Sequence, residues 1–268
     1  MVPLPLRGPA SATRFAPSGA RRRVTLGALS ALLLLAAAAP AAHAQLAGDG
    51  FLFHRPRATL TLRGGWDGAA AKGDMYTFAI QQLTLGRNDF SGPFIGLDLA
   101  IPVQPRLDVT LSSSVSGSNA KSEFRHWIDT DNTPIEQTTS LLRVPLAAGL
   151  RAYLLPRGRS VGQFVWIPER FAPYVGAAGG FMWYRFKQQG EFVDFQTTEI
   201  YPDLYTSDGW APMAQASLGA DFSLTPRLVL NGEAKYTVAR GQVDTDYSGF
   251  DHIDLSGYTA TLGLSVRF

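Results

Sequence analysis

The sequence contains no cysteine, which excludes disulfide bonds, thiolate metal sites and a lipidated N-terminal cysteine. It also carries little charge: Asp, Glu, Lys and Arg make up 17% of the chain, whereas about 25% is usual for a soluble domain. After residue 44 no apolar run approaches the ~20 residues that a membrane-spanning helix needs. Low charge without long apolar runs is typical of strands that alternate between lipid and a polar interior.

Residues 1–44 are predicted to be a cleaved signal peptide. A positive cluster, Arg21–Arg23, precedes an apolar run from Leu26 to Ala39, and the small-x-small motif Ala42-His43-Ala44 marks the expected cleavage site. A retained anchor is the alternative, but the run is short for one. Removal of this segment leaves 19 basic and 22 acidic residues, a net charge of −3. The basic pI therefore belongs to the signal, and nucleic acid is not an expected partner.

Eight segments of the remaining chain alternate apolar and polar residues with a period of two, as half-exposed strands do. In the last segment, five apolar positions alternate with small or polar ones, and the inward-facing set includes Arg267. The five apolar positions are Ala260, Leu262, Leu264, Val266 and Phe268. The eight segments are Ala58–Trp66, Phe94–Ile101, Leu107–Val115, Leu142–Leu154, Pro173–Arg185, Ala214–Leu224, Leu228–Val238 and Asp254–Phe268.

The spacing between these segments also alternates. Short turns join the second segment to the third and the sixth to the seventh, whereas about 25 residues separate the first from the second, the third from the fourth and the fifth from the sixth. Short turns on one side and long loops on the other predict an all-β, antiparallel up-and-down transmembrane β-barrel. The turns and both chain ends are then expected in the periplasm, with the loops outside the cell.

Two further segments leave open whether the barrel has eight strands or ten. Asp74–Leu85 could be a helix capped by Asp74, with Tyr76, Ile80 and Leu83 on one face, or an extra strand. The connection Leu155–Phe171 is long for a periplasmic turn and contains the apolar stretch Phe164–Ile167. We predict eight strands, a short helix in the first loop and a folded periplasmic excursion.

The predicted inward face carries a mixture of opposite charges. A salt-bridge network that fills the interior is one interpretation, because charges in a narrow lumen are costly unless paired. A charged pore lining or ligand site is the other, since small inward residues such as Gly149, Gly176 and Gly219 leave room for water. The nine charged positions are Arg63, Asp98, Asp108, Arg143, Arg151, Asp221, Glu233, Lys235 and Arg267.

The predicted outer loops are acidic: residues 67–90, 116–140, 187–209 and 240–253 contain six basic and fifteen acidic residues. Simple solubility explains this, and divalent-cation binding is the sharper hypothesis, since Ca²⁺ and Mg²⁺ prefer oxygen ligands. The candidate ligands are Asp129, Asp131, Asp244, Asp246 and Asp251. We nevertheless predict no metal and no cofactor, because no EF-hand-like loop is present.

Catalysis is not expected either. A hydrolase needs a Ser or water nucleophile with His and a carboxylate in reach. His54 falls on the periplasmic side and His126 in mid-loop, so His252, with Asp251, Asp254 and Ser256, is the grouping that has the right residue types.

The mature chain resembles the family of small bacterial outer-membrane β-barrels, meaning the OmpA-, OmpX- and OmpW-like proteins. Pro173–Gly180, Leu224–Leu228, Gly232–Tyr236 and Ser265–Phe268 carry the resemblance. It covers about residues 50–268 and implies a barrel over 58–268, located in the outer membrane. The predicted signal peptide, 1–44, and a periplasmic segment, 45–57, precede this barrel.

The resemblance further implies that Phe268 and the apolar positions before it form an assembly signal read by the barrel-assembly machinery. Outer-membrane lipids, lipopolysaccharide and periplasmic chaperones are the other expected partners. Function is less determined, because the family includes several roles. We predict a structural or surface role and leave open whether the barrel is also a narrow channel. Small-solute transport and lipid modification are the alternatives.

Overall fold

A computed structural model describes residues 50–129 and 131–268, so the predicted signal peptide lies outside the described residues. The described part consists mainly of long antiparallel strands. In chain order the elements are β1 Leu52–Phe53, β2 Thr59–Ala69, α1 Asp74–Gln82, β3 Gly92–Gln104, β4 Leu107–Ile128, β5 Pro134–Tyr153, β6 Gly158–Val161, β7 Val165–Pro168, β8 Phe171–Val193, β9 Ile200–Ser223, β10 Leu228–Gly241, β11 Ile253–Asp254 and β12 Gly257–Arg267, with single 3₁₀ turns at Arg87–Phe90 and Thr245–Tyr247.

Eight of these strands close into a ring. The order is β2-β3-β4-β5-β8-β9-β10-β12, and β12 returns to β2 in a register that runs from Arg267 opposite Thr59 to Gly257 opposite Ala69. Closure pairs every wall strand on both sides, which a membrane-spanning sheet requires because lipid offers no hydrogen bonds. The prediction of an eight-stranded up-and-down barrel is confirmed, and the ten-stranded alternative is wrong.

The predicted alternation sets the two faces of the wall. Leu62 is 57% exposed and Leu262 is 67% exposed on the outer face, while Arg63 and Thr61 are 1% exposed on the inner face. Trp66, Phe181 and Trp210 are also exposed outside, as expected of aromatic side chains that sit at a lipid–water boundary. The outer face is therefore apolar and the inner face is polar over the part of the wall near the short turns.

Four strands are longer than the sequence predicted. β4, β5, β8 and β9 have 22, 20, 23 and 24 residues, whereas about 10 residues cross a bilayer. Much of the predicted loops 116–140 and 187–209 is therefore strand. Past the predicted ends the outer-facing residues become polar, such as the exposed Lys121 and Gln189, so the apolar period stops while the inner face stays largely buried. The backbone ladder continues there, with Lys121 opposite Thr138 and Gln189 opposite Leu204.

The segment after β2 forms the predicted short helix, α1, which buries Met75, Tyr76 and Ala79. The expected cap is wrong: Asp74 is the first helical residue, and the N-cap is Gly73 at φ 105°, a conformation that favours glycine. Arg125 of β4 stabilises the other end, because its Nε donates to the Leu83 carbonyl at 2.7 Å. Among the described residues no helix is long and apolar enough to cross a membrane.

A second, three-stranded sheet, in the order β1-β7-β6, lies outside the ring. Leu52 pairs with Trp166, and Ser160 pairs with the same residue on its other side. This sheet is the folded excursion predicted for Leu155–Phe171. It belongs to the end of the barrel that carries the short turns β3–β4 and β9–β10, here called the turn end; the opposite end is the loop end.

Candidate functional site

Glu233 of β10 is the centre of a buried cluster of charges inside the barrel. Arg63 and Arg151 each place an Nη2 atom 3.5 Å from its Oε2, and Lys235 places its Nζ 3.4 Å from Oε1. The Tyr174 hydroxyl donates to Oε2 at 2.8 Å. One carboxylate thus faces three cations in a water-poor interior, where such attractions are stronger than at a surface.

Neighbouring groups share the remaining charge. Arg63 also pairs with Asp98, which lies on the adjacent strand β3, and donates to the Asn231 side chain. Asn231 in turn donates to Asp221, which also accepts a 2.9 Å hydrogen bond from the Tyr153 hydroxyl. The Asn231 amide therefore connects the Arg63 group to Asp221 without adding charge.

A second pair lies nearer the loop end. Arg143 of β5 places Nη2 3.0 Å from Asp67 of β2, and Asp67 also accepts a 3.0 Å hydrogen bond from Thr259. β2 and β5 are three places apart in the ring, so this pair is formed across the lumen rather than along the wall.

The nine predicted lumen residues all lie on the inner side of the wall, and eight of them are buried while Lys235 is partly so. The sequence reasoning missed Asp67, which it counted as a loop residue although it continues the inward parity of Thr61 and Arg63. It also left out Asn231 and Tyr174, which have inward parity but no charge at neutral pH. Arg157 was missed for a different reason, because it belongs to the excursion and not to a wall strand.

The space beside one of the inward glycines, Gly219, is filled by a neighbouring side chain. Gly219 lies opposite Tyr174 in the β8–β9 register, and a Cβ atom at residue 219 would be 2.4 Å from the tyrosine ring. The glycine thus makes room for a neighbouring aromatic side chain. Two interior cavities, one beside Arg151 and Glu233 and one beside Asp67 and Arg143, measure about 30 and 20 Å³. Each has room for little more than a water molecule.

An apolar core fills the loop end of the barrel. Tyr76 of α1 packs on Phe90 with ring centroids 4.8 Å apart, and Phe90 stacks on Phe186 of β8 at 6.4 Å. Phe186 contacts Tyr247 at 5.6 Å, which brings the connection between β10 and β12 into the same core. Helix α1 and this connection therefore pack into the barrel instead of extending away from it.

The β6–β7 hairpin closes against the turn end. Arg157 places Nη1 2.8 Å from Asp108, whose side chain is 1% exposed, and its guanidinium lies over the Tyr153 ring at 4.7 Å. Trp166 of β7 is buried, with the Arg267 guanidinium 5.4 Å from its ring centroid. The hairpin thus supplies the counter-charge for a lumen acid.

A closed ring of eight antiparallel strands, apolar outside and polar inside, decides the fold. The chain has the fold of the small outer-membrane β-barrels. No family model and no curated protein matches it.

Solved structures of such barrels align over most of the chain at low identity. Neisserial surface protein A is 11% identical, with 82% of this chain and 98% of that chain covered and a TM-score of 0.42. OprG from Pseudomonas aeruginosa is 14% identical, with 81% and 99% covered and a TM-score of 0.44. A major outer membrane protein from Thermus thermophilus is 13% identical, with 80% and 100% covered and a TM-score of 0.42.

The positions predicted as an assembly signal lie on the outer face of this barrel. All five are exposed: Ala260, Leu262, Leu264, Val266 and Phe268. The Phe268 backbone continues the closure, because its N–H donates to the Ala58 carbonyl at 2.9 Å. Recognition of this face by an assembly machinery stays a prediction.

Three of the candidate metal ligands at the loop end of the barrel accept hydrogen bonds from protein groups. Asp131 accepts from the Thr133 hydroxyl at 2.6 Å, and these hydrogen bonds to Thr133 hold the pKa of its carboxyl below the usual value. Asp244 accepts from the Thr245 N–H at 2.8 Å, and Asp246 from the Thr206 N–H at 3.1 Å. Within residues 50–129 and 131–268, no group of three or more His, Asp or Glu is placed to hold a metal ion.

Ser256 and Asp254, two members of the grouping around His252, form hydrogen bonds with the backbone. The Ser256 hydroxyl lies 3.3 Å from both the N–H and the carbonyl of Ala239 on β10. Asp254 accepts from the backbone N–H groups of Ser256 and Lys72, at 3.1 and 3.2 Å. Both side chains therefore hold the backbone at the start of β12.

Proposed function

We propose that the chain is an outer-membrane barrel with a non-conducting, structural surface role. The location is supported by the exposed leucines around the outer face, among them Leu150, Leu218 and Leu262, which would be costly in water and are suited to lipid. The alternation of short turns and long loops supports a periplasmic turn end and an extracellular loop end.

The filled interior is the observation that carries the non-conducting role. From the turn end to the loop end, the barrel holds the Arg157–Asp108 pair, the cluster around Glu233 and the apolar core around Tyr76. Eight strands leave an interior just wide enough for side chains, and here the side chains occupy it. Three successive layers would each have to move before an ion could pass.

The acidic loop end supports a role at the surface. The long hairpins β4–β5 and β8–β9 extend this end well past the span that a bilayer requires. Their tips carry exposed acids, such as Asp131 and Glu199, and no built ligand site is needed to explain them. We therefore propose no enzymatic activity, in line with the backbone roles of Ser256 and Asp254.

Planar-bilayer recording tests this proposal. Purified protein is compared with a variant in which an Asn-Gly turn replaces residues 157–168. We expect no unitary conductance from either protein, because the Glu233 cluster and the Tyr76 core remain when the hairpin is removed. Insertion is checked by the difference in gel mobility between boiled and unboiled samples.

Each outcome of the recording has a distinct meaning. Step-like conductance of the unaltered protein would contradict the proposal and favour small-solute transport. Conductance of the shortened variant alone would show that the hairpin, and not the lumen cluster, closes the barrel.

Lipid A of unchanged mass after expression would be consistent with the absence of lipid-modifying activity, and a mass change would contradict it.

A further inference from the structure

A cavity of about 370 Å³ lies at the turn end, where the β6–β7 hairpin meets the mouth of the barrel. Four arginines line it: Arg55, Arg57, Arg157 and Arg267. Part of the remaining lining is apolar and includes Trp166, with prolines and a valine from the end of β3 and its turn. This volume is within the range of small-molecule sites.

The acids near the cationic lining, Asp108 and Asp221, lie behind it and attract Arg157 and Arg267. Arg157 is neutralised from behind by Asp108, at 2.8 Å. Arg55 donates its Nε to the neutral Ser160 hydroxyl at 3.0 Å. None of the described residues that line the cavity is acidic. The lining therefore carries more positive charge than these acids offset, and an anion in the shared space would be attracted to it.

Arg267 is the most constrained of the four. The residue is 5% exposed, its Nη1 donates to Ser223 at 3.0 Å, and its guanidinium lies against Trp166. Its Nη2 has no hydrogen-bond partner among the described residues. A buried cationic donor without a partner is costly, so an acceptor supplied by a ligand would be favoured at this wall.

We propose that this cavity binds a small phosphate-bearing molecule with an apolar portion. The planar donor fork of arginine matches the oxygen geometry of phosphate, and several arginines around one space suit a multiply charged anion. Trp166 offers a flat apolar wall for the rest of the ligand. The phosphate could belong to a soluble ester or to the headgroup of a phospholipid in the adjoining leaflet, and the chemistry of recognition is the same.

Calorimetric titration of the full chain, refolded in a non-ionic detergent, tests the site. The probes are glycerol 3-phosphate and dihexanoyl phosphatidic acid. We expect saturable binding of at least one probe and a loss of about tenfold or more in affinity for Arg267→Gln and for Arg57→Gln, which remove charged donors. The matched control is Arg227→Gln, an exposed arginine of the β9–β10 turn that does not line the cavity.

Binding of glycerol 3-phosphate identifies a soluble ester as sufficient, and binding of the phosphatidic acid alone identifies a lipid headgroup. Either result supports the site if Arg227→Gln binds as the unaltered protein does. Absence of saturable binding for both probes overturns the proposal, as does an equal loss in Arg57→Gln and Arg227→Gln. If Arg267→Gln fails to refold, Arg57→Gln still decides, because Arg57 is exposed and precedes the barrel wall.

Discussion

At the scale of single residues, Glu233 determines the balance of charge in the middle of the barrel. Arg63, Arg151 and Lys235 all approach its carboxylate within 3.5 Å. Burial makes each of these charges costly by itself, and their attraction to Glu233 offsets that cost. Loss of the one acid should therefore harm the fold more than loss of any one of its basic partners.

We predict that Glu233→Gln lowers the free energy of unfolding by about 3–5 kcal/mol, because it leaves buried cations without their shared counter-charge. The substituted amide could still accept from Tyr174, so the change removes charge and little else. The matched variant Lys235→Gln should lower the free energy of unfolding by about 1 kcal/mol, since Glu233 is still paired with Arg63 and Arg151. Urea unfolding in micelles measures both, and equal losses would contradict this account.

Substitutions of Tyr76 can separate the contribution of its aromatic ring to stability from that of its hydroxyl. The residue is 1% exposed, and its hydroxyl has no hydrogen-bond partner among the described residues. We predict that Tyr76→Ala destabilises the barrel by about 3–5 kcal/mol through the cavity it leaves. Tyr76→Phe should be neutral or stabilising, because it removes an unpaired buried polar group. A marked loss in Tyr76→Phe, measured by the same unfolding assay, would show that the hydroxyl has an unseen partner.

At the scale of elements, periodicity located all eight wall strands and the two faces within the predicted segments. It could not show where the strands end, since the outer-facing residues of β4 and β8 become polar, as at Lys121 and Gln189, while the ladder continues. Nor could it show partners across the lumen. Arg63 and Asp98 lie on the adjacent strands β2 and β3, so their contact follows from the register of that pair. The contact of Arg143 with Asp67 depends on the curvature of the whole ring.

The hairpin β6–β7 is the element whose role the sequence left most open. We predict that replacement of residues 157–168 by Asn-Gly lowers stability, because Asp108 then remains buried without Arg157. Addition of Asp108→Asn to the shortened chain should recover part of the loss, whereas Asp108→Asn in the full chain should not stabilise. The unfolding free energies of the full chain, the two single variants and the combined variant give the coupling, and additive effects would mean that the hairpin stabilises the barrel by other contacts.

At the scale of the whole molecule, the two ends differ in charge. The predicted loops hold six basic and fifteen acidic residues, while the N-terminal segment and the turn-end connections hold seven basic and two acidic ones. Asp67 and Arg157, which belong to these sets, pair with Arg143 and Asp108 of the wall, whereas acids at the hairpin tips, such as Asp131 and Glu199, are exposed. The asymmetry, together with the unequal loop lengths, supports one orientation in a membrane and not its reverse.

The absence of cysteine allows this orientation to be tested with single labels. We predict that Glu199→Cys, at the tip of β8–β9, reacts with a membrane-impermeant maleimide in intact cells. Arg227→Cys, in the β9–β10 turn, should react only after the outer membrane is permeabilised. Leu262→Cys should not react with the maleimide in either condition, because lipid covers the outer face of β12. Equal labelling of the first two in intact cells would contradict the orientation, and ready labelling of Leu262→Cys would contradict a lipid-covered wall.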